Sequence, residues 1–328
     1  MADEIRHWPR ISVITPSYNQ GQFLGHCISS VLQQNYQDLE FIIIDGGSTD
    51  ESVAIIKDNE AHLTFWCSEP DDGQAAAINK GLRMATGELV AWLNADDFYL
   101  PEALNHVALS YQTNPNASFY FGDGLRVDKN GRSLQRFFPE GNVVFNLRAL
   151  VYGLNYILQP ATFINRVKLA EVGYLEPTLR YGLDTDLWIR LAKHTPPLPI
   201  TALLAASREY PDTKTATGSF ARIEELRRIA ETYADIPMTP GTLCYFLDTL
   251  QRLARERKDV FPASYEQSIA TFFAATSNLL TNYGARSDGF PSSGQESRSD
   301  ITRVKPRKSA GAFVGRLIRK AGLGGENI

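Results

Sequence analysis

The sequence predicts an α/β protein, with a mostly parallel β-sheet flanked by helices and a helical C-terminal extension. Three observations predict it. Short apolar runs alternate with stretches of helical periodicity roughly 10–15 residues long, the pattern of right-handed βαβ units. One run, Leu89-Val90-Ala91-Trp92-Leu93, is apolar throughout, as in a strand covered on both faces. Several runs end in acids or polar turns, and ligands of open α/β sheets bind beyond the carboxyl ends of the strands.

Taken in order, Ile11–Thr15 is the first strand and Pro16-Ser17-Tyr18-Asn19 turns the chain. Phe23, Leu24, Cys27, Ile28, Val31 and Leu32 follow at helical spacing. Glu40–Asp45 is the second strand, ended by Gly46-Gly47, with Ser48 and Asp50 suited to cap a helix over Glu51–Asn59. Leu63–Glu69 is the third strand and Gln74–Ala85 an alanine-rich helix. The strand Glu88–Leu93 then leads into Asn94-Ala95-Asp96-Asp97, and a helix runs from Pro101 to about Thr113. Asp96 or Asp97 capping that helix is the plain structural alternative to a ligand role. A strand over Ser118–Gly122 places Asp123 with Asp45, Glu69, Asp96 and Asp97 along one edge. An acidic rim repels phosphates unless a divalent cation bridges them, which points to a metal.

Beyond Asp123 the pattern loosens. Asp128-Lys129-Asn130-Gly131 is a turn, and Gln159–Phe163 an extended run before a helix near Val167–Val172. Asp184–Lys193 is an amphipathic helix with Leu187, Leu191 and Trp188 inward. Helices are expected over Ser219–Asp235, Thr242–Lys258 and Ser264–Tyr283. In the second of these, Leu243, Phe246, Leu247, Leu250 and Leu253 form the apolar stripe. Four segments result: a domain over 1–215, a helical extension over 216–284, a Ser/Gly/Arg-rich linker over 285–309 and a basic amphipathic helix over 310–328.

At 328 residues, with 43% hydrophobic and 21% charged residues, the chain can bury a large core. Its net charge of −4 is uneven: residues 298–328 carry eight Lys/Arg against two acids, or +6, leaving −10 for the rest. A basic tail on an acidic body suits a membrane surface or another anionic partner, not nucleic acid. Cys27, Cys67 and Cys244 form neither a disulfide framework nor a zinc spacing, and no apolar run is long enough to span a bilayer. The expected location is cytoplasmic, with a peripheral contact at the inner face of the membrane through the tail.

Four features occur in one order: TPSYN after the first strand, IDGGSTD after the second, NADD after the fourth, and LDTDLWIRLA after QPATF. Together they resemble the inverting glycosyltransferases of family 2, and the resemblance spans roughly residues 9–210. SEPDDGQAAAINKGLRMATGELVAWLNADD is similar to members that decorate bacterial polysaccharides. The resemblance implies the GT-A nucleotide-diphospho-sugar transferase fold, a nucleotide-sugar donor (UDP first, TDP or GDP open), a carbohydrate or lipid-linked acceptor, and Mn²⁺ or Mg²⁺. It implies donor contacts at Thr15, Pro16, Tyr18, Asp45, Asp72, Asn79, Lys80, Asn94 and Asp96. Asp97 is the first choice as metal ligand and Asp96 the second, the reverse order remaining open. Asp184 is the implied base, Asp186 its competitor, and Gln159 an acceptor-side residue. Three positions depart from the family pattern: Gly46 for an acid, Ile78 for an arginine and Leu183 for an acid. They keep open a non-catalytic binding protein on the same fold, with a sugar nucleotidyltransferase as a further alternative.

Overall fold

A computed structural model describes residues 8–138, 141 and 143–256. β1 (Ile11–Ser17) leads to α1 (Gly21–Leu32), β2 (Leu39–Asp45) to α2 (Ser52–Asp58), and β3 (Phe65–Ser68) to α3 (Gln74–Met84). There follow β4 (Leu89–Trp92), β5 (Phe98–Tyr99), α4 (Ala103–Thr113), β6 (Phe119–Val127), β7 (Ser133–Arg136) and α5 (Leu147–Val151). A 3-10 turn at Gln159–Ala161 opens into β8 (Thr162–Asn165), α6 (Arg166–Val172), α7 (Leu183–His194) and β9 (Leu198–Arg208). α8 (Lys214–Thr217), α9 (Ser219–Ala234) and α10 (Pro240–Glu256) complete the described chain.

The strands form one sheet in the order β3-β2-β1-β4-β8-β6-β9-β5, with β7 beside β6. β3, β2, β1 and β4 are mutually parallel, as the alternating pattern requires. β8 runs antiparallel to both β4 and β6, β6 and β9 are parallel, and β5 closes antiparallel on β9. Every residue of β1 and β4 is buried, because helices cover both faces there. On one face, Leu24, Cys27, Ile28 and Val31 of α1 pack with Val13, Phe41 and Ile43. Burying a side chain of that size contributes about 1.5–3 kcal/mol. On the other face α3 lies close to β1: a Cβ at Gly81 would come within 2.5 Å of Ile14.

Several local expectations change. Ser48 caps nothing; its hydroxyl donates to Asp45 and accepts the Asn19 N–H. Asp50 accepts from the N–H of Ser52 in α2 and of Gly21 in α1, so it serves two helix starts. α4 begins at Ala103 behind Glu102, whose φ is +64° and whose side chain makes no cap bond; Gln34 Oε1, from outside the helix, accepts the Leu104 N–H at 3.3 Å. Asp96 and Asp97 are therefore not its caps. Asp123 is not on a rim: it lies within β6, fully buried, bonded to Arg136 at 2.5 Å and to the N–H groups of Gly124 and Phe138. The 11-residue β9 was not expected, because its Leu/Ala-rich sequence lacks alternation.

The chain divides into two compact units. The first extends to Leu147 and again from Asn155 to Ile229, and the second takes Arg148–Leu154 and, of the described residues, those from Ala230 on. The division falls inside α9. In the second unit Thr239 caps α10 ahead of Pro240, accepting the Thr242 N–H at 3.3 Å, so the helix starts two residues earlier than expected. The buried side of α10 holds Cys244, Tyr245 and Leu247, while Leu243, Phe246 and Leu250 are only partly buried. The helix expected at 264–283, the linker at 285–309 and the basic helix at 310–328 lie outside the described residues. Among the described residues, no helix is long and apolar enough to cross a membrane.

Candidate active site

The strand order places the switch point between β1 and β4, where consecutive crossovers leave in opposite directions. Three loops gather there, after β1, β2 and β4. Thr15 and Pro16 are buried within β1, and Tyr18 just beyond it is 63% exposed, its ring free for stacking. Ser17 Oγ and Gln20 Oε1 are buried without hydrogen-bond partners. Two such orphaned groups at one strand end mark a place where a polar ligand would complete the bonding. Asp45 is fully buried and shapes the neighbouring turn. Its carboxylate accepts from the Gly47 and Ser48 N–H groups and the Ser48 and Ser68 hydroxyls. Gly47 adopts φ +80°, which its lack of a Cβ permits.

The loop after β4 carries the carboxylate pair. Asp97 is almost fully buried; its Oδ1 accepts the Arg208 N–H at 3.0 Å, and Asn94 Nδ2 stands 3.4 Å from its Oδ2. Asp96 is the more exposed of the two, with Oδ2 accepting from the Tyr210 hydroxyl at 2.9 Å. Burial and the neighbouring Asp96 push the Asp97 carboxyl up to about 8, against the Arg208 N–H and the Ser207 and Asn94 side chains. Burial also raises Asp96, against its bond to Tyr210. Arg208 holds the loop in place. Its guanidinium donates to the Asp96 carbonyl, lies 2.7 Å from His26 Nδ1, and sits 4.9 and 5.0 Å from the ring centres of Phe23 and Phe98.

From Asn94 a chain of amides runs outward. Asn94 Nδ2 donates to Gln159 Oε1 at 3.0 Å, and Gln159 Nε2 donates to the Trp92 carbonyl at 2.7 Å. Gln74 Nε2 donates to Asn94 Oδ1 at 2.9 Å, and Gln74 Oε1 accepts from Lys214 Nζ at 2.8 Å. The structure thus brings Asn94 and Gln159 to the carboxylate pair. Two other expected donor contacts are committed elsewhere. Asn79 is buried, and its amide bonds both the N–H and the carbonyl of Leu175, bracing that segment. Lys80 pairs with Glu69 and lies 3.1 Å from Cys67 Sγ. Asp72 is exposed beside the turn in which Asp71 accepts the Gly73 N–H.

Asp184 and Asp186 both fall in the first turn of α7. Asp186 forms an ion pair with Arg190 at 2.8 Å, and Arg190 is itself bonded to the carbonyls of Val172, Gly173 and Tyr174. Asp184 Oδ2 accepts from Asn155 at 2.9 Å and Oδ1 from the Thr185 N–H at 2.7 Å. Burial raises the Asp184 carboxyl, opposed by Thr185, Asn155 and Arg222. Trp188, one turn later, stacks on Trp92 with centroids 5.4 Å apart. That contact fixes the head of α7 relative to β4 and the carboxylate loop.

The sequence pattern missed Arg208, Tyr210, Gln74 and Lys214. Arg208 and Tyr210 follow from the unexpected β9, Lys214 carries no motif, and Gln74 lies within the quoted stretch after β3 but is given no role there. Among the described residues, no group of three or more His, Cys, Asp and Glu converges on one point. The pair Asp96–Asp97 still fits Mg²⁺ or Mn²⁺, which take one or two carboxylates and complete their shell with water and phosphate oxygens. Both carboxyls are driven toward protonation by burial, the condition a cation would relieve.

The switch point between β1 and β4, the carboxylate pair beyond β4 and the acids at the head of α7 are the layout of an α/β protein whose ligand binds at the carboxyl ends of its strands. The model of the family described as glycosyl transferase family 2 matches residues 12–171. An uncharacterized glycosyltransferase of Mycobacterium tuberculosis is 30% identical over 235 residues, covering 70% of this chain and 86% of that protein. The chain belongs to glycosyl transferase family 2. An uncharacterized Rickettsia conorii glycosyltransferase is 29% identical over 57% of this chain, but the match spans only 32% of that longer protein. The O-antigen biosynthesis protein RfbC of Myxococcus xanthus is 29% identical over 68% of this chain and 18% of its own length. Among solved structures, S. aureus TarS 1-349 in complex with UDP-GlcNAc superposes with a TM-score of 0.56 at 16% identity, covering 84% of this chain and 81% of that one. Mannosyltransferase PcManGT from Pyrobaculum calidifontis, in complex with GDP-Man and Mn²⁺, gives 0.53 at 18% identity, covering 96% and 87%. These likenesses establish the GT-A fold.

Proposed function

We propose that this glycosyltransferase moves a sugar from a nucleoside diphosphate, UDP first, to an acceptor hydroxyl with inversion, in polysaccharide or glycoconjugate synthesis. The observation that carries the proposal is the pair of desolvated carboxylates at the switch point, held by Arg208 and Tyr210 and joined through Asn94 to Gln159. Tyr18 stacks on the base, and the orphaned Ser17 and Gln20 oxygens take its polar atoms or those of the ribose. Asp96, the more exposed carboxylate, is the outward ligand of Mg²⁺ or Mn²⁺, with Asp97 behind it, reversing the order expected from the sequence. The bound cation supplies Lewis-acid neutralisation of charge on the leaving diphosphate.

Asp184 takes the acceptor proton. It is preferred to Asp186, whose carboxylate is already spent on Arg190. A carboxylate raised by burial is a better base than an ordinary one, and Asn155 and Thr185 fix its direction. A single base acting opposite the leaving group gives one displacement and hence inversion. Gln159 lies at the junction of Asn94 and the β4 end, where it can orient the transferred sugar or the acceptor. The relatives support a polysaccharide setting through RfbC, while TarS and PcManGT support UDP- and GDP-sugars as the donors to screen.

The test is donor turnover with UDP-, GDP- and TDP-sugars in the presence of Mn²⁺, scored by nucleotide release. Wild type should turn over one donor class. Asp184→Asn should lose about 10²–10⁴-fold in rate while still binding the free nucleotide. Nucleotide binding without turnover of any donor by wild type, with a range of glycan and lipid-linked acceptors, would favour the non-catalytic alternative.

A further inference from the structure

We infer that Glu225 of α9 is a positioning residue for Asp184: its carboxylate holds three consecutive backbone N–H groups just ahead of α7 and so sets where the base points. The inference rests on the reading of Asp184 as the base and adds the group that acts through it.

The segment 173–182, between α6 and α7, has no regular structure of its own. Side chains from elsewhere tie it down. Its beginning is held by Arg190, which donates to the carbonyls of Gly173 and Tyr174, and by Asn79, which bonds both backbone groups of Leu175. Its end is held by Glu225. Oε2 accepts the Arg180 N–H at 2.8 Å, and Oε1 accepts the N–H groups of Tyr181 and Gly182 at 2.5 and 2.7 Å. Hydrogen bonds to an ionised carboxylate are about twice as strong as neutral ones.

What Glu225 fixes is the start of α7. Gly182 is the residue before the helix and makes no side-chain cap bond, and its carbonyl accepts the Asp186 N–H at 3.0 Å. Asp184 follows two residues later, so the backbone at Gly182 sets the direction in which its side chain leaves the helix. α9 also packs directly on this residue: a Cβ at Gly182 would stand 2.5 Å from Ile229 Cδ1 and 3.0 Å from Leu226 Cδ2. Glu225, Leu226 and Ile229 share one helical face by their spacing. Asp184 is thus held twice. Asn155 and Thr185 bond its carboxylate, and Glu225 holds the backbone that carries it. All of these residues belong to the first compact unit.

The test uses the full chain, with kcat and donor KM measured on the nucleotide-sugar that wild type turns over and free-nucleotide affinity measured by calorimetry. Glu225→Ala should lower kcat by about tenfold to a hundredfold, the cost of a base displaced by roughly an ångström, with KM and nucleotide affinity within a few-fold of wild type. Glu225→Gln keeps one acceptor oxygen and should recover part of the loss. Glu224→Gln, which alters a neighbour paired with Arg227 and Arg228 along α9, should leave kcat unchanged. In an Asp184→Asn background, Glu225→Ala should cost less than about threefold more, because residues that act as a unit are not additive. Wild-type kcat in Glu225→Ala would overturn the inference. So would a parallel fall in kcat and nucleotide affinity, or the same fold-loss with and without Asp184. If Glu225→Ala does not melt cooperatively, Glu225→Gln decides by the same comparisons. A wild-type rate in Asp184→Asn would overturn both the base and its positioning residue while leaving the transferase reading intact. Failure of wild type to turn over any donor would overturn that reading as well.

Discussion

At the scale of single residues, Arg208 decides whether the carboxylate pair exists as a site. Its backbone holds Asp97, its guanidinium holds the Asp96 carbonyl, and its faces are covered by two phenyl rings. Arg208→Met keeps the backbone bond but removes the rest, so it should destabilise the fold by about 2–4 kcal/mol and weaken Mn²⁺ binding more than it weakens nucleotide stacking. Thermal unfolding and Mn²⁺ titration on the same sample would read the two effects. A second prediction concerns pH. The Asp97 carboxyl is pushed up to about 8 in the folded protein, well above the ordinary carboxylate range near 3.9 of an unfolded chain. The folded state therefore binds more protons than the unfolded one between those values, and metal-free stability should fall as pH rises from about 4 to about 8, then level off. Mn²⁺ competes for the same carboxylate, so its stabilising effect should grow over that range. A metal-free melting temperature that rises steadily from pH 5 to pH 8 would contradict the assignment.

At the scale of elements, the site depends on how closely α3 and α7 are held to the sheet. Gly81 lets α3 approach Ile14 of β1, and Gly81→Val should cost about 1–3 kcal/mol by overpacking, measurable as a lower denaturant midpoint. The parallel strands β1 to β4 and helices α1, α3 and α7 were legible because their apolar positions recur with clear periods and end in turn residues. Two kinds of element were not. β5 is two residues long and exists only by pairing with β9. β9 has an alanine- and leucine-rich sequence that suits a helix, and its neighbour β6 decides its form. Since β9 carries Arg208 and leads to Tyr210, the side chains that hold the carboxylate loop were invisible to local pattern. Asn94, Asp96, Asp97, Gln159 and Asp184, the residues to which the proposal gives roles, lay in motifs. Asn79 and Lys80 show the limit of motif matching: side chains of the right type sit at the right spacing, yet their polar atoms are taken by Leu175 and Glu69.

At the scale of the whole molecule, the first compact unit holds every residue assigned a role, while the sequence beyond residue 256 carries the basic character. The +6 balance of residues 298–328 and the expected amphipathic face of Phe313, Leu317 and Ile318 suit an anionic membrane surface near lipid-linked acceptors. Replacing Arg316, Arg319 and Lys320 with Glu should reduce co-sedimentation with vesicles containing anionic lipid, without changing nucleotide affinity. Equal co-sedimentation would remove the tail from the account. The central claim, a nucleotide and a divalent cation meeting at the carboxylates after β4, is tested most directly by calorimetric titration of UDP, then GDP, with and without Mn²⁺, on wild type and Asp96→Asn. The account predicts binding that Mn²⁺ strengthens in wild type and a loss of that Mn²⁺ dependence in the variant. Binding of equal strength in all four conditions, or no binding of either nucleotide, would contradict it.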